Sequence, residues 1–181
     1  MSAEARDSSS GTAARAVVLV GHGSAPLDAP RGLVGRLRAL EAERRSSGSP
    51  VSADELELEA RVRNWHRTPE NDPYKAGMDA IAERLRARVG RVVVAYNEFC
   101  APSLDQAIGA LVRDGIREIT VVTTMLTPGG VHSEVEIPDA VRALQIGHPG
   151  VTIRYAWPID LDAIAGLLAD ACAAQTASAG G

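Results

Sequence analysis

Aromatic residues are scarce: one Phe, two Trp and three Tyr, 3% of 181 positions. A core in this chain must therefore be built from Val, Ile, Leu and Ala, and a 45% hydrophobic content suffices for one. Cysteine is nearly absent. Cys100 and Cys172 lie far apart and form no CxxC pair. With no secretory signal they read as free thiols in a reducing cytosol, so a cytoplasmic protein is expected. No apolar run approaches the roughly 20 residues that a membrane span needs. Residues 1–14 lack the apolar stretch of a signal peptide and read as a disordered tail, as do residues 174–181. Cationic charge is in deficit, with 19 Lys and Arg against 23 Asp and Glu and a net charge of −4. That balance argues against a nucleic-acid partner. One domain over residues 15–173 is expected.

What is present alternates. Four short apolar runs read as strands: Ala16–Val20, Arg91–Asn97, Glu118–Leu126 and Val151–Trp157. Helical patterns separate them. Pro102–Asp114 carries Leu104, Ala107, Ile108, Leu111 and Val112 at helical spacing, with Pro102 fitting the first helical position. Asp72-Pro73 opens another helix, and Pro138 a third. Asp160 caps a fourth, which should turn Ile164, Leu167, Leu168 and Ala171 inward. Alternation of this kind implies an α/β fold, a parallel sheet covered by helices on both faces. Residues 31–74 break the rhythm. They hold a charged helical segment (Leu33–Arg45), a Ser/Gly/Pro break and an acidic run, and read as a helical insertion or lid at the sheet edge.

Three polar residues follow three different strands. His22 stands between two glycines after the first, Glu98 after the second and His132 after the third. In a parallel sheet those carboxyl ends share one rim, and neighbouring strands lie about 4.8 Å apart. Two imidazoles and a carboxylate suit Fe(II), Co(II) or Ni(II) and suit Mg²⁺ or Ca²⁺ poorly. Each residue alone also has an ordinary reading. His22 could cap a helix or bind a phosphate, Glu98 could favour a helix dipole, and His132 could be structural. His148 reads as a turn residue and His66 as a surface one. Gly21-His22-Gly23-Ser24 is not a dinucleotide fingerprint, and neither a P-loop nor a Gly-x-Ser-x-Gly elbow is present. A histidine phosphatase would carry Arg where Gly21 stands.

Val20-Gly21-His22-Gly23-Ser24, Glu98 with Ala101-Pro102-Ser103, Gly129-Gly130-Val131-His132 with Glu136-Ile137-Pro138, and His148-Pro149-Gly150-Val151 together resemble the CbiX/SirB family of class II chelatases. The resemblance implies a chelatase-like three-layer sandwich on a four-stranded parallel sheet. It implies ATP-independent insertion of Co²⁺ or Fe²⁺, with Ni²⁺ as a further option, into sirohydrochlorin or a related tetrapyrrole on the way to sirohaem or cobalamin. The metal is then a substrate, and no tightly bound cofactor is implied. It casts His22 and His132 as metal ligands, and His22 and Glu98 as the catalytic pair. Ser24, Thr127, Pro128, Gly129, Gly130 and Val131 would line the tetrapyrrole. A homodimer is expected, because longer relatives carry two pseudo-symmetric halves. The chain departs from the family at Ala101, where an acid often stands, and in the length of residues 31–74. A non-catalytic metal or tetrapyrrole carrier on the same fold is the alternative, and an insertion that binds a protein partner a further one.

Overall fold

All four expected strands form, and all are parallel. In the computed structural model, which describes residues 14–178, they are β1 (Arg15–Gly21), β2 (Val92–Tyr96), β3 (Glu118–Thr123) and β4 (Thr152–Tyr155), in the order β2-β1-β3-β4. The tail expected over residues 1–14 falls, but for Ala14, outside the described residues.

Alternation along each strand divides the side chains between two faces. Ala16, Val18 and Val20 of β1 join Ile119, Val121 and Ile153 on one face, under helices α4 (Leu104–Arg113) and α5 (Ile137–Gly147). Leu19 and Val92 lie on the other, under Met78 and Ala82 of α3 (Pro73–Val89). The result is a three-layer α/β sandwich with an aliphatic core, as the shortage of aromatics requires.

Helix starts follow local chemistry. The Asp72 carboxylate accepts from the Lys75 N–H and starts α3, with Pro73 in its first turn. Ser103 and Gln106 form a reciprocal capping box at α4. Pro102 is therefore not in the helix, contrary to the sequence expectation. Its carbonyl instead accepts from the Tyr96 N–H at 2.9 Å, which holds it outside the first turn. The third helical run also starts earlier than Pro138. A π-helical turn over His132–Glu136 leads into α5, with the Ile137 N–H bonded to the His132 carbonyl. Pro138 has no N–H to offer the preceding turn, and a widened turn meets that gap.

The region 31–74 is helical, with α1 (Arg31–Ser47) and α2 (Ala53–Arg63) packed as a hairpin. Gly48, at φ 67°, ends α1, and the Ser52 side chain caps α2. Leu33 and Leu37 of α1 and Leu58 and Val62 of α2 form a separate small core with Phe99, which comes from the loop after β2. The hairpin is thus seated on the rim of the sheet.

The last helix departs from expectation. α6 (Leu161–Ser178) runs past the boundary expected at 173, and Asp160 caps it as foreseen. Its apolar residues do not turn inward. Leu167 and Leu168 are 62% and 61% exposed, Ala171 is exposed and Ile164 only half-buried. Residues 179–181 lie outside the described residues.

Candidate functional site

The order β2-β1-β3 makes the three strands that precede Glu98, His22 and His132 immediate neighbours. Pairing continues one step past the strands: the Asn97 N–H bonds to the Gly21 carbonyl and the Glu98 N–H to the His22 carbonyl, at 2.9 and 2.8 Å. That fixes Glu98 beside His22. The side chains meet. His22 Nε2 lies 3.8 Å from one Glu98 carboxylate oxygen, and His132 Nε2 lies 4.0 Å from the other. The imidazole rings are 5.0 Å apart and near perpendicular. One nitrogen or oxygen from each residue lies within 4.8 Å of the other two. Donors sharing one first-row ion at about 2.1 Å each stand about 3–3.5 Å apart. Small side-chain rotations would bring the three onto one cation.

Both imidazoles are aimed. His22 Nδ1 donates to the Gly23 carbonyl at 2.8 Å. His132 Nδ1 donates to Glu136 Oε2 at 2.7 Å, and the Asn97 amide donates to the same oxygen at 2.8 Å. In both rings Nε2 is the nitrogen that faces Glu98. Burial would raise the Glu136 pKa, but the hydrogen bonds from Asn97 and His132 outweigh it and hold the carboxyl below its ordinary range. Orienting carboxylates of this kind recur behind metal-binding histidines.

The two glycines around His22 differ in what they admit: a Cβ on Gly21 meets the ends of two side chains, and one on Gly23 meets backbone. A Cβ on Gly21 would meet Met78 Cε at 2.8 Å and the Tyr74 hydroxyl at 2.9 Å. That hydroxyl accepts the His22 N–H. Gly23 has φ +94°, and a Cβ on it would stand 1.9 Å from the Glu98 carbonyl oxygen. Gly23→Ala is expected to displace the Glu98 segment and to lower stability by more than the roughly 1 kcal/mol that left-handed backbone alone costs. Thermal denaturation of the variant checks this, and an unchanged Tm would contradict it.

The remaining site residues expected from sequence lie on the same rim. Thr127, Pro128, Gly129 and Val131 are exposed and Gly130 half-buried, in the loop between β3 and His132. The Gly129 N–H bonds to Glu134 and the Ser133 hydroxyl to the Gly130 carbonyl, which braces that loop. Ser24 is half-buried, and its carbonyl accepts from Arg67 Nη1 at 2.7 Å.

Arg67 escaped the sequence reading. Its side chain is 7% exposed and pairs at 2.6 Å with Asp72, itself 1% exposed. Its guanidinium also reaches the carbonyls of Ser24, Val62 and Phe99. One buried cation thus ties the loop after β1, the end of α2, the loop after β2 and the start of α3 together. Phe99 sits at φ +57°, the one non-glycine residue with positive φ among those described. Glu136 and Asn97 were also missed as partners of His132. The i, i+4 spacing of His132 and Glu136 was a signal that could have found one of them.

Between the hairpin and the site lies an open cavity of about 370 Å³, lined in part by Glu41, Arg45, Arg63, Asn97, Glu98 and Glu136. Burial, and then the charge of Glu98, push the Glu41 carboxyl up. Of the cations that flank the hairpin, Arg36 is paired with Asp54 and Lys75 with Asp79. Arg38 has no carboxylate partner among the described residues, and its guanidinium lies over the Phe99 ring, 5.1 Å from its centre. The Phe99 ring in turn lies 6.4 Å from that of His22.

The fold and rim define an open α/β domain with two imidazoles and a carboxylate gathered at the carboxyl edge of its sheet. The CbiX family model matches residues 69–176, and the chain belongs to the CbiX family. The match begins after α2, so it contains Glu98 and His132 but not His22. Among solved structures, the chain is similar to a CbiX protein of Marinobacter aquaeolei VT8 assigned to cobalamin (vitamin B12) biosynthesis. Identity is 20%, the TM-score 0.55, and the match covers 91% of this chain and 95% of that one. That likeness shows a shared fold. SirB from Bacillus subtilis with Fe³⁺ matches at 18% identity and a TM-score of 0.41, over 78% of this chain and 39% of that one. The sirohydrochlorin chelatase SirB of Bacillus subtilis subspecies spizizenii in complex with cobalt matches at 17% and 0.40, over 78% and 42%. This chain therefore spans about two fifths of the SirB length. No curated protein matches it.

Proposed function

We propose that the protein inserts a divalent metal, Co²⁺ or Fe²⁺ with Ni²⁺ as a further option, into sirohydrochlorin or a closely related tetrapyrrole, without ATP. The observation that carries this reading is the convergence of His22, Glu98 and His132 within 4.8 Å at an open rim, in a chain of the CbiX family. The metal is substrate. His22 and His132 bind it through their inward-facing nitrogens and leave further coordination positions for water and then for pyrrole nitrogen. Insertion also requires the removal of two pyrrole N–H protons. Glu98 accepts the first, and His22 Nε2 accepts the second once the cation has left it. As the ring nitrogens lose their protons they take the cation from the imidazoles, and the ligand set empties with the product.

The tetrapyrrole lies against Ser24 and the Thr127–Val131 loop. Its carboxylates need cations, and Arg38 is free to supply one beside the Phe99 ring. Arg38→Ala is expected to raise KM for the tetrapyrrole several-fold and to leave Co²⁺ affinity unchanged. Steady-state kinetics at varied tetrapyrrole, together with a Co²⁺ titration, separate the two. The orienting carboxylate acts on the other substrate. Glu136→Ala is expected to weaken Co²⁺ binding by about 10–100-fold, read by competition with a chelator of known affinity. The protein works as a homodimer in which the second copy closes the site, whose His22 side chain is 42% exposed in a single copy.

The deciding experiment is a spectrophotometric insertion assay with Co²⁺, Fe²⁺ and Ni²⁺ against sirohydrochlorin and two related tetrapyrroles. Turnover of many equivalents per chain is expected. Stoichiometric binding of metal or tetrapyrrole with no turnover would overturn the enzymatic reading in favour of a carrier.

A further inference from the structure

Each imidazole of the site is aimed by a hydrogen bond, and the acid between them is not. The Glu98 carboxylate stands 3.8 Å from His22 Nε2 and 4.0 Å from His132 Nε2, beyond hydrogen-bond distance, and it accepts no hydrogen bond from the described residues. Where it points is therefore set by its backbone. That backbone is a tight turn. The Cys100 N–H bonds back to the Glu98 carbonyl at 2.6 Å, and Phe99 has φ +57°. A phenylalanine in left-handed conformation is kept there by its surroundings and not by its own preference.

Much of that hold comes from one side chain. Arg63 is the last residue of α2 and is half-buried. Its Nη2 donates to the Asn97 carbonyl at 2.8 Å and its Nη1 to the Cys100 carbonyl at 3.0 Å, so the two bonds bracket Glu98 and Phe99. Its own carbonyl accepts the Ala101 N–H at 3.2 Å. Its Nε donates to Glu59 Oε1 at 2.7 Å, one turn back on α2, which fixes the plane of the guanidinium. All three sides of a planar fork are in use, and a lysine ammonium has no such plane. The helix end is anchored in turn, because Val62 is buried in the hairpin core with Leu37, Leu58 and Phe99. Asn97 has further anchors, its N–H on the Gly21 carbonyl and its amide on Glu136. His132 thus keeps its orientation without Arg63. Glu98 has its N–H on the His22 carbonyl and no bond to its side chain.

We propose that Arg63 is a positioning residue for metal insertion: through its guanidinium the α1–α2 hairpin fixes the 97–100 backbone and so aims the Glu98 carboxylate between the two histidines. The inference rests on the chelatase reading above and gives the hairpin its part in it.

A double-mutant cycle of Arg63→Met and Glu98→Gln in the full chain, with Co²⁺ and sirohydrochlorin, tests this. Arg63→Met alone should lower kcat by about 10–100-fold, the scale on which a misplaced reacting group is felt, with KM for the tetrapyrrole unchanged. In the Glu98→Gln background it should lower kcat no further. Arg63→Lys keeps the charge and loses the fork, and should be as slow as Arg63→Met. Glu59→Ala, which only releases Nε, should lower kcat by a smaller factor. The hairpin core and the Ala101 bond survive these changes, so circular dichroism should be retained. An equal loss of kcat in both backgrounds would make Arg63 a general structural residue and overturn the proposal, and so would full activity of Arg63→Lys. The d–d absorption of bound Co²⁺ reads the same geometry without turnover. Arg63→Met should shift it in the wild-type background and not in Glu98→Gln, and unchanged spectra in both would overturn the positioning role. A wild type that binds Co²⁺ without turnover would overturn the chelatase reading, while the spectra still decide whether Arg63 aims Glu98.

Discussion

His22→Ala is expected to reduce metal insertion by about 10²–10⁴-fold, the range for removal of a positioned proton acceptor, and to lose a metal ligand as well. Stability should hardly change. The His22 side chain is 42% exposed, and its one ring hydrogen bond runs to the neighbouring Gly23 carbonyl. The backbone contacts that shape the loop, from the His22 N–H to Tyr74 and from Glu98 to the His22 carbonyl, survive the substitution. Absorbance kinetics with Co²⁺ and sirohydrochlorin report the first effect, and a melting curve the second. Unchanged kinetics would remove His22 from the mechanism. A collapsed melting curve would recast it as a structural residue.

Arg67→Met is expected to do the reverse, harming the fold before the chemistry. The substitution leaves the Asp72 carboxylate buried without its cation and the carbonyls of Ser24 and Phe99 without their donor, while that of Val62 keeps the Trp65 N–H. Breaking a buried pair from one side costs about 3–5 kcal/mol. At about 2–4 °C per kcal/mol for a chain of this size, Tm should fall on the order of 10 °C. The damage should spread to the site, because Arg67 holds the Phe99 carbonyl directly after Glu98. Replacing both partners, Arg67→Met with Asp72→Ser, should recover part of the loss, since Ser can still cap α3. Equal stability of Arg67→Met and wild type in thermal denaturation would show that the hub is idle.

These two residues mark what was legible in the chain. His22, Glu98 and His132 could be placed together from sequence because each follows a strand, and parallel strands deliver their carboxyl ends to one rim. The strands and the Asp72 and Asp160 caps were legible for the same local reasons. Arg67 was not. Its partners come from four segments between Ser24 and Phe99, and no local pattern announces a contact set by tertiary packing. The π turn at His132 was hidden as well, since Pro138 reads as a helix start when only the next turn is considered. α6 shows a different limit. Ile164, Leu167, Leu168 and Ala171 were expected to turn inward, but the periodicity of a helix does not say whether its apolar stripe is covered.

X-ray absorption spectroscopy of the Co²⁺-loaded protein tests the central claim most directly. One cobalt per chain, with two imidazole nitrogens and a carboxylate oxygen in its inner sphere, is the predicted result. The imidazole signal should drop by one in His22→Ala and by one in His132→Ala. Cobalt held without imidazole, or held identically in both variants, would contradict the account.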